Sequence, residues 1–592
     1  MIIGNPVITG ADYREYYTGD YSIDPTTFSQ VLSVSGKTMS RDITINGFIE
    51  GNGVADLIAR NTEGYEDLAG AVQAVGPYAF RSCIFLNTVN LPGARRIGSY
   101  AFYDCSTLRR ASIPAAERVF EYAFANCRYL MSAMFPSVSH VGNNAFEGCY
   151  ELSVVDMPAV QRIEQNAFYS CRNLLSVSFP LASVLSKSMF YDCGALQTAF
   201  MPLADFIPDY AFGLCADLRE ASFPRASYVG SSAFYGCSAL SRADFPTATV
   251  IYANAFNGCG GLTSASFPLV SSVQTNAFLN CTGLVSLDLP NVRENLGVSA
   301  FAGCARLETV TMPFLSYIQS YVFQSCAALR EADYPNVSYV GSYAFNGCLG
   351  LSQANLPSVK ALYTNAFSSC FALESVNMPI VSVIYPYAFK DCTALKSVDF
   401  PSVTTSLYNY AFQGCAGLER VSMPLISGVP SYTFSGCVRL ASVRFPSATF
   451  AGSYAFQGCV GMLEADFPIL KTAYLGAFYG CTSLRSLNMP QASTVQTYAF
   501  MNCTALSVVS LPGIQYILST AFSGCVNLIS LYLMGSVRCT LSASTAFTST
   551  PIGGYSDVAG QYGSIFVPAS LYSAYISAAS WSFFSSRFVS VE

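Results

Sequence analysis

Along most of the chain, apolar positions recur with a step of 22 residues, far longer than the period of one helix or strand. The stretch from Gly230 to Val250, GSSAFYGCSALSRADFPTATV, holds one unit. Within it Leu240, Ala243 and Phe245 are apolar, and Ala243 and Phe245 alternate around Asp244. That is the period of a short strand with one buried face. Pro246 ends the strand, because proline has no N–H to give to a ladder. About five residues before the unit's first phenylalanine stands another aliphatic, as at Ile97, Val141, Ile163, Val229, Ile251, Ile318, Val340 and Ile384. The Gly, Ser and Asn that follow suit a turn and the start of a short helical or 3-10 segment. One such coil cannot bury its apolar side alone, so the pattern predicts coils stacked into a solenoid.

Aligned on the phenylalanine of the Ala-Phe pair, the units run from Phe80 to Phe278, from Phe301 to Phe389 and from Phe412 to Phe522. A single extra residue precedes Phe301 and another precedes Phe412, and a degenerate copy follows at Phe547. A cysteine stands three residues after each phenylalanine from Phe80 to Phe522, so that of 22 cysteines only Cys539 falls outside the repeat. A nucleophile needs one special environment, and a copy in every coil reads as scaffold.

Hydrophobic residues make up 52% of the 592 positions and charged residues 11%, a membrane-like balance. Yet no run approaches the roughly 18 consecutive apolar residues of a membrane span. The formal charge is −6 and Lys and Arg occur mostly singly along the chain, which argues against a nucleic-acid partner. The opening stretch MIIGNPVITGADYREYY has no cationic segment and too short an apolar run for a recognisable secretory signal. His140 is the only histidine and sits in PSVSHVGNNAF, read as a loop with a solvated turn residue. A Ser-His-Asp or Cys-His arrangement could be built only there, and no distinctive partner motif stands nearby; no His or second Cys at ligand spacing accompanies any repeat cysteine, which argues against a metal. The chain is read as a non-enzyme without metal or cofactor. Carboxylates recur beside the last strand residue, at Asp156, Asp244, Asp288, Asp333, Asp399 and Asp466. Paired, they would suit glycoside hydrolysis. Asn90, Asn355, Asn377, Asn488 and Ser422 hold the same position in other coils, which favours a solvated strand face.

The unit AFxxCxxLxxxxxP, kept in register over roughly 70–550, resembles the BspA-like, Treponema-type leucine-rich repeat. The resemblance implies an α/β repeat solenoid with one short parallel strand per coil, on the concave face of a curved array. It implies surface roles in adhesion and recognition. In that reading the cysteine replaces the inward Asn of other leucine-rich repeats, as a buried reduced thiol offering a weak S–H donor to backbone. Disulfides between coils are the alternative, conceivable at a spacing of about 4.8 Å; an odd number of ladder cysteines cannot all pair.

Three segments follow: 1–66 as a small β-rich attachment module, 67–547 as the array, and 548–592 as a C-terminal cap. The cap sequence GSIFVPASLYSAYISAASWSFFSSRFVSVE reads as a strand, a helix near Ser570 and a final strand anchored by Trp581. It resembles the VP-x-SL-x-x-AY ending found behind BspA-like repeats. SGKTMSRDITING in the first segment resembles GK-x-M-x-x-DITI modules of phage tail and baseplate proteins.

Two residues before the phenylalanine stand Tyr78, Tyr100, Tyr122, Tyr210, Tyr321, Tyr343, Tyr387, Tyr410, Tyr432, Tyr454 and Tyr498, replaced elsewhere by Asn, Ser, Thr or Gly. Exchange with Asn and Ser reads as partial exposure. Stacked tyrosines bind sugars or proteins well; alternatively the rings simply cover the coil below. The densest run, Tyr387, Tyr410, Tyr432 and Tyr454, is the first candidate site, with Tyr321 and Tyr343 beside it. The carboxylate face is the second. The function expected is recognition of a cell-surface glycan or protein by a rigid array, as a phage tail or fibre component located in a virion or at a cell surface. The alternatives are a bacterial surface adhesin and a structural spacer or self-assembling fibre. The oligomeric state is left open.

Overall fold

The computed structural model describes residues 72–83, 86–554 and 558–592, together with a strand at Ile43–Ile45. The rest of the expected 1–66 module lies outside the described residues. The chain divides into two compact units, Met1–Ala300 and Phe301–Glu592.

In each unit the coils carry the expected three-residue strand. In the first unit Arg242–Asp244 pairs in parallel with Glu220–Ser222 before it and Ser264–Ser266 after it. Its middle residue is buried and the two flanking ones point outward, so Leu240, Ala243 and Phe245 enter the core while Asp244 stays at the surface. The structure adds a second, two-residue strand to most coils, built on the aliphatic that precedes the phenylalanine and reduced to a single bridge at Ile207, Ile318 and Val429. Tyr228–Val229, Val250–Ile251 and Ser272–Val273 form one run of this second ladder. The extra residues leave its register intact. Val273 pairs with Leu296 in the first unit and Ile384 with Leu407 in the second, and the added residue is absorbed in bends at 293–294 and 404–405.

Among the described residues the short helical segment expected in each coil appears only in the last copy, as a 3-10 turn at Ser544–Phe547, and is absent from the coils of Phe80 to Phe522. Consecutive turns take its place, closed by bonds such as Tyr235 N to Ser232 O (3.1 Å), Cys237 N to Phe234 O (3.1 Å) and Leu240 N to Cys237 O (3.1 Å). The reason is a pair of left-handed residues around each phenylalanine. In every coil from Phe80 to Phe522 the residues two before and two after it have positive φ, as at Ser232 (53°) and Gly236 (72°). A helix cannot continue through them. Alternate N–H groups therefore point across to the next coil: Ser232, Phe234 and Gly236 donate to Ala253, Ala255 and Asn257.

The core of each unit is a column of phenyl rings. From Phe80 to Phe278 successive centroids are 4.9–5.6 Å apart and stacked. In the second unit a like column runs from Phe301 to Phe547. Such pairs each add about 0.5–1.5 kcal/mol beyond area burial.

At the C-terminal end Ser564–Pro568 joins the three-residue ladder beside Ser530–Tyr532, and Phe588–Val591 pairs with it in turn. A short helix at Tyr572–Ile576 lies between them in sequence. Trp581 is fully buried and its Nε1 donates to the Cys539 carbonyl at 2.8 Å. The ring meets Phe547, Tyr575, Phe584 and Phe588. At the N-terminal end Ile43–Ile45 pairs in parallel with Val72–Val75.

Candidate recognition surfaces

The repeated cysteines form no reactive site. All 22 are free and buried. In both units the thiol donates to the carbonyl of the phenylalanine one coil earlier, as from Cys237 to Phe212 (3.1 Å) and from Cys459 to Phe434 (3.1 Å). That donor follows from the position of Cys three residues after Phe: the thiol hangs into the bend where the previous coil's carbonyl faces it. Burial pushes the Cys459 thiol up to about 12, so it stays protonated and poorly nucleophilic at neutral pH. Among the described residues no group of three His, Cys, Asp or Glu is placed to hold a metal ion.

His140 lies in the strand His140–Val141, not in a loop. The second ladder, which sequence reasoning missed, captures it between Arg118–Val119 and Arg162–Ile163. Its Nδ1 is 3.1 Å from Arg118 Nη2 and its Nε2 is 3.6 Å from Glu164. Partial burial and the Arg118 charge lower its pKa. The same register aligns Arg96, Arg118, His140 and Arg162 in one column, although they stand 22 residues apart in sequence. Glu117 lies 4.0 Å from Arg95 beside this column, and Glu164 lies 3.2 Å from Arg162.

The strand-face carboxylates are not gathered into acid pairs along their column. Asp244 and Asp288 in the first unit, and Asp333, Asp399 and Asp466 in the second, never occupy consecutive coils. Asp244 stands between Ser222 and Ser266 and Asp399 beside Ser422, while Asp333 and Asp466 have amide neighbours. Asn355 donates to Asp333 at 2.8 Å and Asn377 to Asn355 at 2.7 Å. Asn488 donates to Asp466 at 2.7 Å, and Arg444 Nε lies 3.3 Å from the same carboxylate. Glu331, Asp333, Gln353, Asn355, Ser375 and Asn377 line a shallow polar trough.

The tyrosine run is brought together. Successive rings of Tyr387, Tyr410, Tyr432 and Tyr454 are 4.7, 4.8 and 5.1 Å apart, with planes within 24°. Tyr321 and Tyr343 form a separate stacked pair at 5.1 Å; Asn365 stands in the coil between that pair and Tyr387. The exchange with Asn and Gly has a cause other than exposure: the position is left-handed in every coil, with φ of 61°, 64°, 57° and 55° along the run. Asn and Gly accept that conformation readily and Tyr does not. The rings are half-buried, and stacking offsets the backbone cost.

Sequence reasoning missed a second column beside the first. Tyr363, Tyr385 and Tyr408 stand four residues before the phenylalanine and stack at 4.9 and 5.1 Å. Tyr339 meets Tyr363 edge-on at 6.0 Å and stacks on Tyr317 at 5.2 Å. The signal was present in the triplets Tyr385-Pro386-Tyr387 and Tyr408-Asn409-Tyr410.

Comparison with known proteins matches this geometry to a repeat family. No curated protein matches the chain. Among solved structures, a leucine-rich repeat protein from Bacteroides ovatus is 21% identical, covering 67% of this chain and 82% of that one, with a TM-score of 0.36. A leucine rich cell surface protein from Faecalibacterium prausnitzii is 20% identical over 60% and 83%, with a TM-score of 0.31. A leucine rich repeat protein of T. pallidum is 30% identical over 30% and 76%, with a TM-score of 0.21. The profile of the BspA type leucine rich repeat region, six copies long, matches at residues 67–174, 139–263, 205–330, 249–374, 316–437, 360–475 and 427–552. With well over half of its length matched by that profile, the chain belongs to the BspA-type leucine-rich repeat family.

Proposed function

We propose that this chain is a non-enzymatic recognition protein, working outside the cell or at a surface, whose coils hold a binding face for a cell-surface glycan or protein. The family is one of repeat proteins generally without catalytic activity, and the solved Faecalibacterium prausnitzii relative is described as a cell surface protein. Among the described residues no helix is long and apolar enough to cross a membrane. The observation that carries the reading is the pair of tyrosine columns in the second unit. The Phe and Cys positions recur without change, while the tyrosine positions vary from coil to coil. Constant positions build the stack and variable ones are free to carry specificity. Attachment of residues 1–66 to a larger assembly such as a phage tail completes the proposal, and the resemblance of SGKTMSRDITING to tail modules supports it.

The test replaces Tyr387, Tyr410, Tyr432 and Tyr454 by Ser, which this left-handed position holds at Ser188, Ser232 and Ser299. Binding of the labelled chain to a panel of whole bacterial cells is then measured. Loss of binding with unchanged folding supports the tyrosine face; full binding moves the site to the trough around Asp333, Asn355 and Asn377.

A further inference from the structure

The geometry of the tyrosine columns fixes how a ligand is able to meet them. Sugars commonly pack against the face of an aromatic ring, but here the faces are taken. Neighbouring rings of Tyr387, Tyr410, Tyr432 and Tyr454 lie 4.7–5.1 Å apart and nearly parallel, which leaves no room for a ligand between them. The end of the column is closed as well. Tyr454 lies over Gly476, where a Cβ would collide with its ring, and Tyr479 meets Tyr454 edge-on at 6.5 Å. Lys390 sits above Tyr387 with Nζ 5.7 Å from the ring centre.

What the Tyr387 to Tyr454 column offers to solvent is therefore its hydroxyl edge, and within the second column the stacked faces of Tyr363, Tyr385 and Tyr408 are likewise closed to one another. Among the described residues no side-chain N or O is both buried and unpaired. The hydroxyls of Tyr363, Tyr385, Tyr408, Tyr387, Tyr410, Tyr432 and Tyr454 make no hydrogen bond within the protein. They face water. Burial and the neighbouring Tyr410 and Tyr454 raise the Tyr432 pKa above its ordinary value, so this phenol remains a neutral donor and acceptor across physiological pH. Thr364, Pro386, Asn409, Ser431, Ser453 and Gln413, which flank the tyrosines in sequence, are uncharged. Lys390, the nearby cation, has Asp391 at 3.9 Å.

We infer that the second unit binds a neutral linear polysaccharide through these two combs of tyrosine hydroxyls, one sugar to each coil. The step between hydroxyls is that of the stack, about 4.8 Å, comparable to the length of a single sugar ring. An extended peptide presents same-face groups only every second residue, at about 6.6 Å, and falls out of step within a few coils. A polyanion finds no row of cations here. Each hydroxyl adds a modest net hydrogen bond, and several in step act together. This inference rests on the recognition reading above and goes further in naming the ligand and the atoms that read it.

The test uses the full chain and a second quadruple variant in which Tyr387, Tyr410, Tyr432 and Tyr454 become Phe. The rings and their stacking remain and only the hydroxyls go, so the melting curve is expected to stay unchanged. Titrations use cello-oligosaccharides, a β-1,3-glucan, xylan and mannan, with alginate and poly-glutamate as charged controls. Wild type is expected to bind at least one neutral glycan, with affinity rising up to about four sugars and levelling off after that. The Phe variant is expected to lose tenfold or more. Equal binding by the Phe variant, or binding of wild type to the charged polymers alone, overturns the inference. Should wild type bind whole cells and none of the neutral glycans, this inference fails while the recognition reading stands. Should it bind neither, both fail.

Discussion

The Sγ of Cys237 lies 3.1 Å from the carbonyl oxygen of Phe212, one coil earlier, and that carbonyl also accepts from the N–H of Cys215 at 3.1 Å. One oxygen thus closes a turn in its own coil and ties down the next. Cys237→Ser keeps a donor but brings a shorter, more strongly hydrated group into a fully buried site. A loss of about 1–3 kcal/mol is expected, seen as a lower denaturant midpoint, with ligand binding intact in the folded fraction.

Alkali should weaken the fold steeply. Burial raises the pKa of many ladder thiols in the folded chain, among them Cys149, Cys237 and Cys459, the last reaching about 12 against an ordinary 9.0. Between those values the unfolded chain releases protons that the folded chain keeps. Stability is therefore fully present below pH 9 and lost as pH rises toward 12, at about 1.4 kcal/mol per pH unit for each such thiol. Urea midpoints measured from pH 7.5 to 10.5 should be flat at first and then fall. A midpoint that stays level through pH 10.5 contradicts the shift.

His140 gives the opposite sign. Burial and Arg118 lower its folded pKa below the ordinary 6.5, so its neutral form is favoured in the folded chain. Its contribution to stability is present above pH 6.5 and lost as pH falls. Because it is the only histidine, its ring protons can be followed alone by NMR. The titration midpoint should lie below 6.5, rise in Arg118→Gln and fall further in Glu164→Gln.

Tyr410 separates backbone strain from stacking. Its φ is 64°, and it stacks on Tyr387 and Tyr432. Tyr410→Asn loses the rings but relaxes the left-handed backbone, and should stay within about 1 kcal/mol of wild type. Tyr410→Val loses the rings and puts a β-branched residue where it fits worst, so a loss of about 2–3 kcal/mol is expected. Equal thermal shifts for the two variants would show that the conformation carries no cost.

Much of the fold was legible because one unit repeats so many times. The alternation of Ala243 and Phe245 around Asp244, and the single-residue insertions before Phe301 and Phe412, were readable from spacing alone. The second strand was not, because two residues such as His140 and Val141 are too short to show alternation; for the same reason His140 read as a loop. The turn segment was misread as helical because Gly, Ser and Asn serve both helix starts and left-handed turns. The distinguishing clue was the paired use of Asn and Gly on both sides of Phe, as at Asn254 and Gly258. The candidate site was half legible. The Tyr387 to Tyr454 column follows from period, whereas the closed ring faces and the second column through Tyr363, Tyr385 and Tyr408 depend on how the turns lie side by side.

The central claim is that the Phe and Cys of every coil are scaffold, sealed in the core, and that recognition belongs to the variable surface positions. Thiol titration of the native full chain with an aromatic disulfide reagent tests it most directly. The account predicts almost no labelling at neutral pH over an hour, and reaction of all 22 cysteines once denaturant is added. Rapid labelling of most thiols in the folded chain would contradict it.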